Sequence, residues 1–344
     1  MKRWARRSKS LIIVFKIWHN WLLRRRFASG LIETSHGSTL GRKNLDESVS
    51  YIDEQFNDYL TYGQLTNQQL SGKRILELGF GDNVGVALRF LAAGASRVVC
   101  VDKFYSKRDV ARERDIYVAL RDRLGAEEQK RFDAAVDVEN DIKFNNGKLS
   151  CINGLDLDTG AGKLLEQEEM FDIIISRAVI EEIYEPEHVL ATVDRLLVPG
   201  GLMLHKIDLS DYGIFSEGGM HPLTFLTIPQ SIYRLMATDS GIPNRKLIGY
   251  YRKKMRELGY DSKFLVTSIV GFGPVMPHKE FVELDNDYFS LAIPVINGIR
   301  SKLCRDYRDL PDDELMVSGV FMVARKPALP SRLETESRLP LRSN

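Results

Sequence analysis

The sequence of 344 residues is poor in cysteine and has no long uninterrupted apolar run. Its three cysteines form no CxxC pair and do not cluster with histidine, which argues against a disulfide framework and against a zinc site. Such cysteine use is typical of a reducing, cytoplasmic setting. The apolar run at residues 11–23 is too short for a helix that crosses a bilayer, so we expect no membrane span there.

An excess of charge of one sign is also missing. The chain has 48 basic and 47 acidic residues, but nine of the basic residues and none of the acidic ones fall within residues 1–26. The remaining chain is therefore mildly acidic, which argues against nucleic acid as a partner.

Residues 1–26 predict a basic amphipathic helix. Its large apolar residues share one face at helical spacing: Leu11, Val14 or Phe15, Trp18, and Trp21 or Leu22. Two tryptophans beside cations suit a helix that lies on the inner face of an anionic membrane. The alternative is a helix that packs on this protein or on a partner subunit. A signal peptide is disfavoured because Arg24-Arg25-Arg26 stands where its cleavage site would be.

Residues 73–104 have the pattern of one half of a nucleotide-binding fold. They predict a strand at Arg74–Leu78, a glycine turn, a helix at Val84–Ala93 and a strand at Arg97–Val101 that ends before Asp102. An acidic residue at that place can accept hydrogen bonds from ribose hydroxyls. NAD, FAD and S-adenosylmethionine are all compatible with this pattern.

The residues of the turn narrow that choice. Gly79-x-Gly81-x-x-x-Gly85 departs from the GxGxxG spacing of a dinucleotide site, and residues 157–164 lack the Walker spacing of a phosphate loop. Glu77 places a carboxylate before the first glycine. That charge would attract a sulfonium ligand with an amino-acid tail and would repel a pyrophosphate.

The rest of the chain alternates strands with helices, which predicts an α/β fold with a doubly wound, mostly parallel sheet of seven strands. The other five strands are predicted at residues 149–153, 171–176, 202–207, 263–270 and 317–324. Helices are predicted at residues 45–65, 106–132, 187–197 and 248–258. Asp46 is the expected cap of the first of these helices, and Pro199-Gly200-Gly201 predicts a turn.

Four stretches in consistent order resemble the class I S-adenosylmethionine-dependent methyltransferases. RILELGFGDNVG resembles their first motif, with Glu77-x-Gly79-x-Gly81 as its E-x-G-x-G core, and VVCVDKF resembles their acidic second motif. The run from FDIIIS to PGGLMLHKID resembles their later motifs. The likeness covers residues 73–207 and extends loosely to a bacterial branch associated with glycan modification.

The resemblance implies S-adenosylmethionine as cofactor and a methyltransferase domain at residues 71–326. An acceptor-side insertion is expected at 209–244. Outside this domain, we expect the basic segment at 1–26, a linker and helix at 27–70, and a disordered tail at 327–344.

The resemblance also implies a set of donor-binding residues: Glu77, Gly79, Gly81, Asn83, Asp102, Lys103, Phe104, Asp156, Ser176 and Arg177. Asp102 would hold the ribose, and Lys103 and Phe104 would lie along the adenine. The acid that reaches the adenine amino group corresponds either to Asp156 or to the position of Leu155.

A hydroxyl acceptor would benefit from a general base. The candidates are Asp208 at the end of strand five, His221 in the insertion, and Glu182 at the start of the helix after strand four. Each has a structural alternative. Asp208 could cap a turn, His221 could be a bonded loop histidine, and Glu182 could favour a helix N-terminus. Relatives with a VLEH-like helix start have histidine where this chain has Glu182.

The sequence therefore predicts an S-adenosylmethionine-dependent methyltransferase that acts on an oxygen of a glycan or of another small or lipid-linked acceptor. One alternative is an inactive binding protein with the same fold. Another is a nucleotide-dependent oxidoreductase, which Tyr250-x-x-x-Lys254 would favour and the glycine spacing disfavours. Nothing in the sequence indicates the oligomeric state.

Overall fold

The computed structural model describes residues 8–34, 43–139, 141–157, 164, 166 and 168–328. Several sequence predictions lie outside the described residues: those for residues 1–7, for the middle of the linker, for the stretch 158–163 and for the tail from residue 329 onward.

The strands are named in chain order. They are β1 (Glu33–Thr34), β2 (Arg74–Leu78), β3 (Arg97–Asp102), β4 (Tyr105–Ser106), β5 (Val136–Asp137), β6 (Lys143–Phe144), β7 (Leu149–Asn153), β8 (Phe171–Arg177), β9 (Leu197–Asp208), β10 (Asp261–Ile269), β11 (Gly273–Glu280) and β12 (Val317–Arg325).

The α-helices are named in the same way. They are α1 (Lys9–Ala28), α2 (Leu45–Gly63), α3 (Asn67–Leu70), α4 (Gly85–Ala92), α5 (Val110–Asp122), α6 (Ala126–Asp133), α7 (Pro186–Leu196), α8 (Gln230–Ala237), α9 (Ile248–Glu257), α10 (Asn286–Arg300), α11 (Arg305–Arg308) and α12 (Asp312–Met316). Short 3-10 turns lie at Ile180–Glu182, Ser216–Gly218, Thr224–Thr227 and Phe281–Glu283.

One central sheet has the strand order β7-β3-β2-β8-β9-β12-β10-β11. Strands β7, β3, β2, β8 and β9 pair in parallel, whereas β12 is antiparallel to both β9 and β10. The order reverses at β2, so the carboxyl ends of β2 and its neighbours frame a crevice where ligands bind in such sheets. This confirms the predicted α/β fold with its doubly wound, mostly parallel sheet.

Apolar residues cover both faces of the sheet. Along β2, Leu76 and Leu78 join one buried cluster, while Ile75 joins the cluster on the opposite face. The alternation follows from the two-residue period of a strand, and helices pack on both faces of the sheet. Burial on both faces explains why these strands read as continuous apolar runs.

Several sequence predictions needed correction. The sheet has an eighth strand, β11, at its edge. Asn44 caps α2 instead of Asp46, because its side chain accepts from the Glu47 amide and the Glu47 carboxylate bonds back. The glycines at 200 and 201 make no separate turn; they form an irregularity inside β9 where its pairing with β8 shifts. The long helix expected at 106–132 is divided between α5 and α6, with Gly125 as the cap of the second.

Helix α1 packs against the insertion through α8. Ile12 is 1% exposed and belongs to the main core cluster. The buried Asn20 side chain donates to Thr238 Oγ1 at 2.9 Å and accepts from the Asp239 amide at 2.7 Å. These contacts join the two segments, although they lie more than two hundred residues apart.

The outer face of α1 carries the apolar residues that the helical spacing grouped together. Leu11, Val14, Trp18 and Trp21 are between 42% and 64% exposed, whereas Phe15, at 37% exposed, also reaches the cavity described below. Among the described residues, no helix is long and apolar enough to cross a membrane.

Candidate active site

A large cavity opens at the carboxyl ends of β2, β3 and β8. Its volume is about 1120 Å³. Small-molecule sites commonly measure roughly 300–1,000 Å³, so this cavity has room for a methyl donor together with an acceptor. Its wall combines the strand ends, the start of the insertion and the inner face of α1.

The structure brings eight of the predicted site residues together in the wall of this cavity: Gly79, Gly81, Asp102, Lys103, Phe104, Asp156, Arg177 and Glu182. They come from the ends of three strands and from two loops. Their meeting follows from the parallel pairing of β3, β2 and β8, which places all three carboxyl ends on one edge.

The glycine turn is built so that backbone, not side chain, faces the cavity. Gly79 and Gly81 have φ values of 70° and 67°, a left-handed conformation that favours glycine. A β-carbon on Gly81 would meet no atom within 4 Å and would project into open space. One on Gly79 would lie 2.2 Å from Val179 Cγ2. Glycine therefore keeps this part of the cavity open for a ligand.

Asp102 ties the ends of β2 and β3 together. Its carboxylate accepts from the Gly81 amide at 3.1 Å and from the Phe104 amide at 2.9 Å. Burial raises the pKa of Asp102, although these backbone donors oppose that rise. A carboxylate oxygen has two lone pairs, so Asp102 can also accept from ribose hydroxyls. The bare glycine turn and this acid fit an adenosine-containing donor.

The side of the cavity where the resemblance places the adenine carries a compact group of charged and aromatic residues. Lys103 Nζ lies 2.8 Å from Asp156 Oδ2 and above the rings of Phe27 and Phe104. The rings of Phe27 and Phe104 meet edge to face, with centroids 6.0 Å apart. Phe27 belongs to α1, so the N-terminal helix contributes to this end of the cavity. Leu155, the other residue considered for the acid position, is buried in the core.

Arg177 is the last residue of β8, and a carboxylate of α2 holds its side chain in place. Its guanidinium lies 2.9 Å from Asp58 of α2. Helix α2 thus holds a side chain of the cavity wall in place.

Glu182 is the predicted catalytic candidate that faces the cavity. Its side chain is open to the cavity, but protein surrounds it on most sides, and this burial raises the pKa of its carboxyl well above the ordinary glutamate value. The neighbouring charges of Glu181 and Asp102 raise it further. A carboxylate with a raised pKa is a stronger base near neutral pH.

Beneath Glu182 lies a second, fully enclosed carboxyl group. Glu181 Oε1 accepts from the Asp208 amide at 2.7 Å and from the Tyr212 hydroxyl at 2.9 Å. Burial raises the pKa of Glu181 to about 8. This group therefore holds the start of the insertion against the end of β8.

Five predicted site residues lie outside the described cavity wall: Glu77, Asn83, Ser176, Asp208 and His221. Glu77 is 8% exposed within β2, and it accepts from the thiol of Cys100 at 3.6 Å. Asn83 accepts from the Gly85 amide at 2.8 Å at the start of α4. The hydroxyl of Ser176 lies 2.7 Å from His205 Nδ1.

The other two catalytic candidates have local partners. Asp208 accepts from the Ser210 amide at 2.8 Å. The Nε2 atom of His221 lies 2.8 Å from the Val295 carbonyl oxygen, and its Nδ1 accepts from the Leu223 amide at 3.1 Å. Both arrangements match the structural alternatives for these residues, and a catalytic role for either stays untested.

Sequence reasoning missed the contribution of α1. Its inner face lines the cavity at spacings of three or four residues: Ile12, Phe15, Lys16, His19, Leu23 and Arg26. The spacing was visible as an amphipathic pattern, but nothing local indicates which tertiary surface a helix face will meet.

The Tyr250 and Lys254 pair lies on α9, away from the cavity, and Lys254 bonds to Glu257 at 3.0 Å.

Comparison with known proteins adds independent information. A family model described as "Methyltransferase domain" matches residues 51–260. No curated protein shows a significant sequence match to the chain.

Solved structures with low overall similarity include two methyltransferases. One is phosphoethanolamine N-methyltransferase 2 of Haemonchus contortus, in complex with phosphomonomethylethanolamine and S-adenosylhomocysteine. It is 13% identical with a TM-score of 0.40, over 83% of this chain and 59% of that longer chain. The other is an S-adenosylmethionine-dependent methyltransferase of Mesorhizobium loti, 14% identical with a TM-score of 0.37, over 82% of this chain and 100% of that one. Similarity this low carries no inference about substrates.

The family match covers the glycine turn, Asp102, the motifs around β8 and β9, and the insertion. It spans more than half of the chain, and it confirms the predicted enzyme class and the predicted donor. The chain therefore belongs to the methyltransferase domain family and is an S-adenosylmethionine-dependent methyltransferase.

Proposed function

We propose that this methyltransferase methylates an oxygen of a glycan or of another small or lipid-linked acceptor. The observation that carries the proposal is the carboxylate of Glu182, which faces the same cavity as the glycine turn and Asp102. Methyl transfer to a hydroxyl benefits from a base that removes the proton, whereas transfer to an amine or carbon nucleophile depends less on one.

S-adenosylmethionine supplies an activated methyl group when it is bound. The chain's own residues orient the reactants and manage the proton. Gly79, Gly81 and Asp102 would position the donor, and the carboxylate of Glu182 would take the proton of the acceptor hydroxyl. Orientation of two reactants in one enclosed site is worth up to roughly 7–11 kcal/mol, so alignment by the cavity wall carries much of the expected acceleration.

The test is a Glu182→Gln variant, with Glu185→Gln as the control. Glu185 is an exposed carboxylate three residues away. With labelled donor and a panel of glycans and lipid-linked sugars, Glu182→Gln should lose roughly 10²-fold or more in kcat while S-adenosylhomocysteine binds as before. Equal rates for Glu182→Gln and wild type would remove the base role. Donor binding without transfer to any acceptor would support the inactive alternative.

The pH profile gives an independent test of the same group. A base must be ionised, so the rate should fall as the pH drops through the raised pKa of Glu182. The acidic limb should therefore lie above the ordinary glutamate pKa of about 4.3. In Glu182→Gln this limb should disappear.

We also propose that the enzyme works at an anionic membrane surface, which would bring it to lipid-linked acceptors. Support comes from the outer face of α1, where Trp18 and Trp21 are 54% and 48% exposed. The guanidinium of Arg25 lies 4.0 Å above the Trp21 ring, and residues 1–26 carry no acid. An apolar face with cations and no acid complements anionic headgroups.

Vesicle sedimentation tests this second proposal. The full chain should sediment with phosphatidylglycerol vesicles more than with phosphatidylcholine vesicles, and a Trp18→Ser/Trp21→Ser variant should lose most of that binding. Val282→Ser is a control, because Val282 is 88% exposed and lies outside α1, in the 3-10 turn Phe281–Glu283. Unchanged sedimentation of the double variant contradicts the proposal. A wild-type dimer that the double variant dissociates would identify a second copy as the occupant instead.

A further inference from the structure

We infer that the acceptor carries an oxyanion, a phosphate or a carboxylate, and that Lys16 on the inner face of α1 binds it. This inference rests on the proposed acceptor site and names the class of molecule that enters it.

Two of the cavity's cations are neutralised within the protein. Lys103 pairs with Asp156 at 2.8 Å, and Arg177 pairs with Asp58 at 2.9 Å. Lys16 differs from both. It lines the cavity and is partly buried, and its ammonium makes no hydrogen bond or ion pair to any residue that the structure describes. Burial lowers the pKa of Lys16, and no carboxylate within the described part of the chain opposes that effect.

A partly desolvated ammonium without a counterion is unfavourable, so such groups usually have an anionic partner. Arg26 adds to the positive charge of this wall, because its guanidinium donates to the backbone oxygen of Glu33 and not to a carboxylate. A ligand with an oxyanion would provide the counterion that the residues described by the structure do not.

The position of Lys16 favours the acceptor over the adenosine. Phe27, at the other end of α1, contacts Phe104 at the adenine side. With a rise of 1.5 Å per residue, Lys16 lies about 16 Å from Phe27 along the helix axis. Asn20, one turn after Lys16, is fixed to Thr238 and Asp239 of the insertion. Lys16 therefore lies on the insertion side of the cavity, where the acceptor is expected.

Calorimetric titration of the full chain tests this inference. The protein is saturated with S-adenosylhomocysteine and titrated with inorganic phosphate in one arm and acetate in the other, at constant ionic strength. We expect one of the two to bind to the wild type, with affinity at least fivefold lower in Lys16→Gln and within twofold in Lys16→Arg. Lys302→Gln, a change at an exposed lysine outside the cavity, should leave the affinity unchanged.

Three results would overturn the inference: no binding of either anion to the wild type, equal binding to Lys16→Gln, or a tenfold loss of S-adenosylhomocysteine affinity in Lys16→Gln. The last result would assign Lys16 to the donor's carboxylate. Failure of the proposed base role can be told apart from failure of this inference. The base role is tested by the rate of Glu182→Gln, whereas anion binding by Lys16 is tested by these titrations, which do not depend on Glu182 as a base.

Discussion

Replacement of Glu77 by glutamine should stabilise the protein at alkaline pH. Glu77 is 8% exposed inside β2, and burial raises the pKa of its carboxyl to about 7. The thiol of Cys100 donates to it and lowers the pKa, whereas the charge of Asp102 raises it. In the unfolded chain the pKa returns to its ordinary value of 4.5.

The folded state holds the proton of Glu77 more tightly than the unfolded state, so the wild type loses stability as the pH rises from 4.5 to about 7. A rise of the pKa from 4.5 to about 7 corresponds to roughly 3 kcal/mol of unfolding free energy above pH 7. Glutamine has a similar shape and no charge. The free-energy gain of Glu77→Gln should therefore be small near pH 4.5 and approach roughly 3 kcal/mol near pH 8.5.

The assay is urea unfolding of wild type and Glu77→Gln at several pH values between these limits. Glu54→Gln, a change at an exposed carboxylate of α2, is the control and should show no such trend. The new amide adds a constant amount to the difference in unfolding free energy, so the effect of the charge appears as the change of that difference with pH. A stability difference that stays flat with pH, or that shrinks as the pH rises, would refute the reasoning.

The donor contact of Glu77 stays a prediction, and S-adenosylhomocysteine titration of the same variant tests it.

Three further substitutions probe the site. Asp102→Asn should weaken S-adenosylhomocysteine binding about tenfold or more by calorimetry, equivalent to roughly 1.4 kcal/mol, and unchanged affinity would contradict the ribose role. Gly79→Ala should lower the unfolding free energy by roughly 1–3 kcal/mol, because its β-carbon would strike Val179 Cγ2; adding Val179→Ala should restore part of the loss in the same assay. Tyr212→Phe removes a donor to the buried Glu181 carboxyl and should cost roughly 1–3 kcal/mol in urea unfolding at neutral pH, so wild-type stability would show that this bond contributes nothing.

Much of the central fold could be predicted from local sequence. The bounds predicted for β2 and β7 are confirmed at Arg74–Leu78 and Leu149–Asn153. Apolar runs buried on both faces and glycines that require a left-handed backbone leave strong local patterns. The edge strand β11 was missed, because its exposed and buried residues do not alternate clearly and it contains two prolines.

The candidate site was only partly predictable. Motif order predicted that Asp102 and the glycine turn would meet at one edge of the sheet, and both lie in the cavity wall, because parallel strands bring their carboxyl ends to one edge. It could not choose among Glu182 and Asp208, which follow strand ends, and His221, which lies in the insertion. The choice depends on where each side chain points, and in the structure the chain's own amides and carbonyl groups engage Asp208 and His221.

The N-terminal helix shows most clearly what each level of information decides. The sequence by itself predicted a basic amphipathic helix within residues 1–26, because these properties depend on spacing and composition alone, and the helix spans Lys9–Ala28. The tertiary structure decided which face is inside: Ile12, Lys16 and Arg26 line the cavity, while Trp18 and Trp21 remain outside. The reason is physical. The contacts of Asn20 with Thr238 and Asp239 join segments more than two hundred residues apart, and no local pattern specifies such a pairing.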